Sequence, residues 1–364
     1  SCVQVYIFLS TMSVKKISAL AASTIKIFII ISLLGSDIKA EENNIKYYSK
    51  DMGLLALMYH RFDENKYPST NIQMSVFKEQ IQIIKNSNYK FYNPDEFKKN
   101  FHIPKNEKKI LITIDDAFSS FYNHAWPYLK KEKIPFILFV STEAVGKNGY
   151  MSWKQIKELE KNPNAFIGNH SHSHDYLVDF KKEKFIKDIE IASTTFKKKL
   201  GYNPIFFSYP FGEYSKFIKE YIAKNFKFSF GQHSGVIDVN KDPYELPRFP
   251  INEKYGDLKR FKFLINLNPL QYKNLKPSQK YLTKDNNPPK FSVEFFNEQK
   301  NLKNINCFSD EGNKWEKANV VFNKNILKIN FREKFIFRRG RINCSLNDQG
   351  MWRWFGIQFS IEQD

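Results

Sequence analysis

This chain is poor in cysteine, in acidic residues and in long apolar stretches, and it has no internal repeat. Only three of its 364 residues are Cys. Cys2 falls in a leader, so Cys307 and Cys344 are the one pair left to the rest of the chain. The longest apolar stretch, Ile25 to Leu34, is interrupted by Lys26 and Ser32 and is short for a bilayer-spanning helix. No Cys stands near Ala40, which excludes a lipid-anchored leader. The missing repeat excludes solenoids and propellers. Acidic residues number 38 against 57 Lys and Arg, a net charge of +19. Such a surplus would suit a polyanionic partner. The lysines are spread along the whole chain and interleave with acids, as in residues 181–187, and no nucleic-acid motif accompanies them. The reading is therefore a solvated basic surface and no nucleic-acid partner, with attraction to anionic glycans or membrane secondary.

Hydrophobic residues make up 42% of the chain, enough for a real core. Residues 1–40 read as a leader whose true start is Met12. Lys15 and Lys16 precede the apolar stretch, and Ala40 is the cleavage position. Such a signal peptide implies export to the periplasm or beyond. If uncleaved, the segment would anchor the protein to a membrane. Two Cys in one exported region then predict a Cys307–Cys344 disulfide.

Strands are expected at Leu54–Tyr59, Ile110–Ile114, Pro135–Val140, Ala165–Gly168, Ile205–Tyr209, Phe226–Phe230 and Leu246–Ile251. Helices alternate with them. One is capped by Ser75, one opens at Asn93-Pro94, and one runs over Ser119–Lys131. Ser152 caps the next, and two more cover Lys181–Leu200 and Phe217–Lys224. This alternation predicts an α/β fold with a parallel sheet or barrel over residues 41–268. Residues 269–290, rich in Asn, Pro and Lys, read as a linker. Residues 291–364 alternate apolar and polar and predict a small β-sandwich-like domain, with turns at Gly340, Asn347-Asp348 and Gly350. In it Trp352, Trp354 and Phe355 either stack sugars or fill the core.

Chemistry concentrates in two motifs. Thr113-Ile114-Asp115-Asp116-Ala117 ends an apolar strand, and His170-Ser171-His172-Ser173-His174 ends another. One acid and two imidazoles make a three-ligand metal site with an open position. The other acid is free to act as a base on water. Further segments stand out: Met58-Tyr59-His60-Arg61, Gly168-Asn169 and Ser208-Tyr209-Pro210-Phe211-Gly212.

Together these segments resemble the NodB-type polysaccharide deacetylases, carbohydrate esterase family four, and within them the exported branch acting on poly-N-acetylglucosamine. The resemblance covers roughly residues 54 to 255. It implies a distorted (β/α) barrel with fewer than eight strands and hydrolysis of N-acetyl groups on an aminosugar polymer. It also implies Asp116, His170 and His174 as metal ligands and Asp115 as the base. Zinc suits one carboxylate and two imidazoles; cobalt, nickel or manganese would also fit. Tyr209 and Pro210 are expected to bind or support substrate. His172, between the ligands, is expected to point away from them.

The sequence departs from the family pattern at three places. Ala117 stands where Gly is usual, a small change if its φ is negative. Ser208 stands where the third motif normally starts with an Arg that pairs with the catalytic Asp. Arg248, in Leu246-Pro247-Arg248-Phe249-Pro250, is the candidate replacement. The late His that serves as general acid has no match. His60, at the end of the first strand, is the candidate acid, with His233 next in line. Two other functions stay open: a glycan-binding protein on a weakened esterase scaffold, and a metal-dependent amidase acting on a small non-sugar amide. Open or closed access to the metal separates a polymer from a small substrate.

Overall fold

The structure is a computed structural model describing residues 51–363 apart from 100, 102, 104, 105 and 297–300. The expected leader, residues 1–40, lies outside the described residues. Among the described residues no helix is long and apolar enough to cross a membrane. Residues 50–364 form one compact body.

Parallel strands build its first layer: β1 (Leu54–Tyr59), β2 (Lys109–Ile114), β3 (Phe136–Val140), β4 (Ala165–Asn169), β5 (Phe206–Ser208), β6 (Phe228–Phe230) and β7 (Phe249–Pro250). Their order is β7-β1-β2-β3-β4-β5-β6, with Lys90–Phe91 also paired to β2. Every residue of β1 and β3 is buried, as in sheets covered on both faces. The sheet curls until its ends approach. Leu246 exchanges backbone hydrogen bonds of 2.9 Å with the β6 end, from Gly231 N–H and to Ser229 C=O. Three residues later β7 pairs with β1. Residues 246–250 therefore link the two ends, giving the distorted barrel that the alternation and the resemblance implied.

Helices surround the barrel. The first, α1 (Met74–Lys85), buries Phe77, Ile81 and Ile84. Its N-terminus is capped by Asp63 Oδ1, which accepts from Met74 N–H at 2.7 Å, and not by Ser75. Chain proximity thus overrides the local cap signal. The others are α2 (Trp126–Glu132), preceded by a π-turn, then α3 (Trp153–Glu160), α4 (Lys182–Leu200), α5 (Lys216–Asn225) and α6 (Leu258–Ile265). A full capping box, Ser152 with Gln155, opens α3.

The stretch read as a linker is not one. It carries β8 (Asn268–Pro269), β9 (Tyr272–Lys276) and β10 (Tyr281–Leu282), so its Asn and Pro residues turn the chain between short strands. Then follow β11 (Phe291–Phe295), β12 (Asn306–Ser309), β13 (Glu316–Lys317), β14 (Asn319–Asn323), β15 (Ile326–Asn330), β16 (Arg339–Asp348) and β17 (Met351–Ile361). One sheet runs β8-β17-β16-β12-β13, with β10 also on β17; the other runs β9-β11-β15-β14. Phe355 of the first meets Phe295 and Tyr272 of the second, at ring separations of 6.0 and 5.5 Å. Cys307 and Cys344 are bonded across directly paired positions of β12 and β16. Gly340 does not turn the chain; it lies within β16, where a Cβ would strike the Phe335 ring at 2.3 Å. Gly350 turns the chain as expected, together with Gln349, both at positive φ, whereas Asn347 and Asp348 lie within β16.

Candidate active site

The C-terminal ends of the barrel strands deliver the chemistry. Asp115 and Asp116 follow β2, His170 follows β4, and Ser208 ends β5. Past these ends the backbone is contorted. Asp116 (φ 74), Ala117 (φ 54), Ser171 (φ 68), His174 (φ 56) and Phe211 (φ 57) are all non-glycine residues in the left-handed region. Such conformations cost about 1–3 kcal/mol each and cluster where function holds them. The φ of Ala117 is positive, so the condition under which losing Gly there is a small change is not met, and Gly would suit this position.

Ligand-type atoms of Asp116, His170 and His174 all lie within 4.8 Å of one another. His174 Nε2 is 3.1 Å and His170 Nε2 3.4 Å from Asp116 Oδ1. The His170 Nδ1–H donates to the Ser208 carbonyl at 2.7 Å, which fixes the tautomer and leaves Nε2 with its lone pair toward the cluster. Asp116 Oδ1 and His170 Nε2 are both buried without a hydrogen-bond partner. Two orphaned acceptors facing a second imidazole, that of His174, suit a divalent cation. Burial raises the Asp116 carboxyl pKa, but the His170 and His174 imidazoles beside it overcome this and hold it well below the usual range. His172 turns away, as expected, onto Thr142 Oγ1 at 2.8 Å.

Asp115 is fully buried beside this cluster. Arg248 grips it with both arms, Nη1 to Oδ1 at 2.7 Å and Nη2 to Oδ2 at 2.9 Å. Nε of Arg248 donates to the Gly231 carbonyl, and Nη2 also reaches Ser208 Oγ at 2.8 Å. The bidentate geometry fixes the carboxylate plane. Burial pushes the Asp115 carboxyl pKa up, yet Arg248 and then His170 bring it below the ordinary value. Arg248 thus makes the ion pair with Asp115 that Ser208 cannot make, and Ser208 Oγ accepts from the same guanidinium.

Asp116, His174, His60 and His233 line one cleft of about 780 Å³. Burial lowers the His60 pKa, with Asp116 and Asp115 opposing. Burial pushes His233 down to about 4, and its ring is tied to the Glu245 backbone. Tyr209 and Pro210 are buried and absent from the cleft lining, against expectation. The Tyr209 hydroxyl bonds the Tyr244 carbonyl at 2.9 Å, which makes it a core residue. Phe211 from the same motif lines the cleft instead, its ring 4.8 Å from that of His174.

The opposite wall comes from the strand-rich region. Trp315, Arg339, Arg341, Asn343, Trp354 and Gln358 all face the cleft. Trp354 Nε1 donates to Ser234 Oγ, and Gln358 Nε2 to the Phe211 carbonyl at 3.0 Å. Of the three aromatic residues expected to stack sugars or fill the core, Phe355 is core, Trp354 lines the cleft and Trp352 lies outside it against Phe263. Trp315 carried no motif; its only sequence signal is an aromatic residue two positions after the Gly312-Asn313 turn.

The sequence pattern of the family described as polysaccharide deacetylase matches residues 102–229. The structure of IcaB from Ammonifex degensii superposes with a TM-score of 0.53 at 27% identity, over 59% of this chain and 97% of that one. The chain carries a polysaccharide deacetylase domain. A poly-beta-1,6-N-acetyl-D-glucosamine N-deacetylase of Staphylococcus aureus is 27% identical to it over 277 residues, 66% of this chain and 94% of that protein. The Streptococcus pyogenes deacetylase PplD, at 22% identity and a TM-score of 0.53, shares the fold of this deacetylase domain. These proteins fit almost whole within part of this chain, so the deacetylase domain is accompanied here by material outside the match.

Proposed function

We propose that this protein is a metal-dependent hydrolase that removes N-acetyl groups from an aminosugar polymer. The observation that carries the reading is the convergence of Asp116, His170 and His174 on one point, with the ion-paired Asp115 beside it in a lined cleft. The names of the relatives support an N-acetylglucosamine polymer as substrate.

A divalent metal held by Asp116, His170 and His174 supplies Lewis acidity toward the amide carbonyl and toward water. Zinc matches two imidazoles and a carboxylate. Asp115 accepts the proton of the attacking water. Arg248 keeps it ionised and fixes its direction, the role that the missing motif Arg would have had. His60 hands a proton to the departing amine. Burial lowers both candidate imidazoles; at His60 the carboxylates of Asp116 and Asp115 oppose it, whereas His233 is pushed down to about 4 and is tied to backbone. The disulfide supports an oxidising, exported location.

The test is acetate release from N-acetylglucosamine oligomers by the purified chain, before and after chelation and after metal is restored. Release that chelation abolishes and metal restores is the expected result. No release from any oligomer, or release indifferent to chelation, overturns the reading.

A further inference from the structure

The strand-rich wall contributes two arginines and an exposed tryptophan to the cleft. Arg339 and Arg341 come from β16, and Arg260 from α6 faces the same space beside Tyr255. They are weakly compensated. Arg341 reaches Asp310 only at 3.9 Å, and Arg339 reaches Glu213 only at 3.9 Å. Arg260 bonds the neutral Tyr255 carbonyl through Nη1, and its guanidinium lies 5.2 Å from the Tyr255 ring centroid. Asp116 is the one carboxylate among the lining residues, and it belongs to the ligand cluster. Burial depresses the Arg260 and Arg341 pKa values, opposed by Asp257 and Asp310 respectively, and Arg339 depresses Arg341 further, so the two β16 arginines repel each other. Trp315 stays 48% exposed at this wall and presents a large flat apolar surface to the cleft.

Cations gathered in a cleft with loose counter-charges are a site for an anion. Arginine presents a fork that fits a carboxylate or a phosphate. A neutral aminosugar polymer would leave these charges unanswered. Its deacetylated product, an ammonium, would be repelled by them. An acidic group carried by the polymer itself answers both.

We propose that the strand-rich wall is a substrate subsite, with Arg341, Arg339 and Arg260 binding a carboxylate or phosphate carried by the glycan and Trp315 stacking on a neighbouring sugar ring. The substrate class is thus an acidic N-acetylaminosugar polymer. This rests on the deacetylase reading above and adds selectivity to it.

The experiment uses the full chain loaded with metal and three oligosaccharides of equal length. One is neutral N-acetylglucosamine, one alternates it with glucuronate, and one carries phosphate substituents. Acetate release and direct binding by calorimetry are both measured, for the wild type and for Arg341→Gln, Arg260→Gln, Trp315→Ala and the charge-preserving Arg341→Lys. Either acidic oligosaccharide should give a kcat/KM about tenfold or more above the neutral one, equivalent to roughly 1.4 kcal/mol. The two acidic arms tell carboxylate from phosphate. Arg341→Gln and Arg260→Gln should shrink that ratio through KM, and Arg341→Lys should keep more of it than Arg341→Gln. Trp315→Ala should raise KM for all three. Equal or better turnover of the neutral oligosaccharide, or a ratio that the glutamine variants leave intact, overturns the subsite while leaving the deacetylase reading standing. If no oligosaccharide releases acetate, the deacetylase reading falls and calorimetry alone decides the subsite. Tighter wild-type binding of an acidic oligosaccharide, lost in Arg341→Gln, then supports it, and equal binding overturns it.

Discussion

The cleft has a floor and a wall of different construction. The floor is the rim of a parallel barrel, where every reactive side chain leaves the end of a buried strand and is held by a second residue. His170 is set by the Ser208 carbonyl, and Asp115 by Arg248. The wall is antiparallel, disulfide-bonded, and lined by long side chains with partial exposure. A floor must hold reacting atoms to fractions of an ångström, so its residues are over-determined and tolerate little. A wall has to match charge and shape, and many side chains can do that. Substitutions should therefore stop turnover on the floor and retune affinity on the wall.

Replacing a ligand should show the floor at its most brittle. His174→Ala is expected to lose bound metal and acetate release together, by elemental analysis and assay of the same sample. Survival of both would dissolve the distinction between floor and wall. Arg248→Gln comes next. It strands the Asp115 carboxylate in a buried site, and breaking such a pair costs about 3–5 kcal/mol. Denaturant unfolding should report a loss of that order, with turnover lost even where the protein remains folded. A variant of unchanged stability would mean that the pair is not buried in the working enzyme.

His60→Ala should keep its metal and lose about 10²–10⁴-fold in kcat if His60 protonates the leaving amine. The pH profile should change on its basic limb. Unchanged turnover with an unchanged profile transfers the role to His233.

The smallest effect lies at the joint between floor and wall. Glu213 follows the Phe211-Gly212 turn and meets Arg338 at 3.6 Å and Arg339 at 3.9 Å, with both carboxylate oxygens buried and lacking hydrogen bonds. Burial raises its carboxyl pKa to about 7 despite these arginines. A folded pKa above the unfolded value means that the folded state binds more protons between pH 4.5 and 7. Stability from this group is therefore present at low pH and is lost as pH rises through 7. Glu213→Gln should flatten that dependence and raise the melting temperature at pH 8, by the equivalent of roughly 1–3 kcal/mol. A melting temperature that is unchanged or lower at pH 8 would show that the arginines compensate the charge fully.

Much of the floor was legible in the sequence because metal chemistry restricts residue types. Only a few side chains ligate, and strand ends place them. The Asp-Asp pair, the His-x-x-x-His segment and the alternation of apolar strands with helices were enough for the barrel and the ligand cluster. Tyr209 and Pro210 misled because a motif says which residues recur without saying which way each faces; Phe211, one residue on, is the one at the cleft. The wall was nearly opaque. Short edge strands in an Asn- and Pro-rich stretch read as a linker, since pairing partners far along the chain supply what local propensity lacks. Arg341 and Trp315 are ordinary residues of their types until the fold brings them across from His174.

The segment that closes the barrel also carries Arg248, 133 residues after the aspartate it holds. On a ribosome, Asp116, His170 and His174 emerge well before it. The barrel's ring and the counter-ion of Asp115 are completed by the same few residues. A chain interrupted before position 246 would own every ligand and still have a naked, misdirected carboxylate. On the roles proposed above, the three ligand residues are made early in synthesis, while hydrolysis waits for the segment that carries Arg248 to dock.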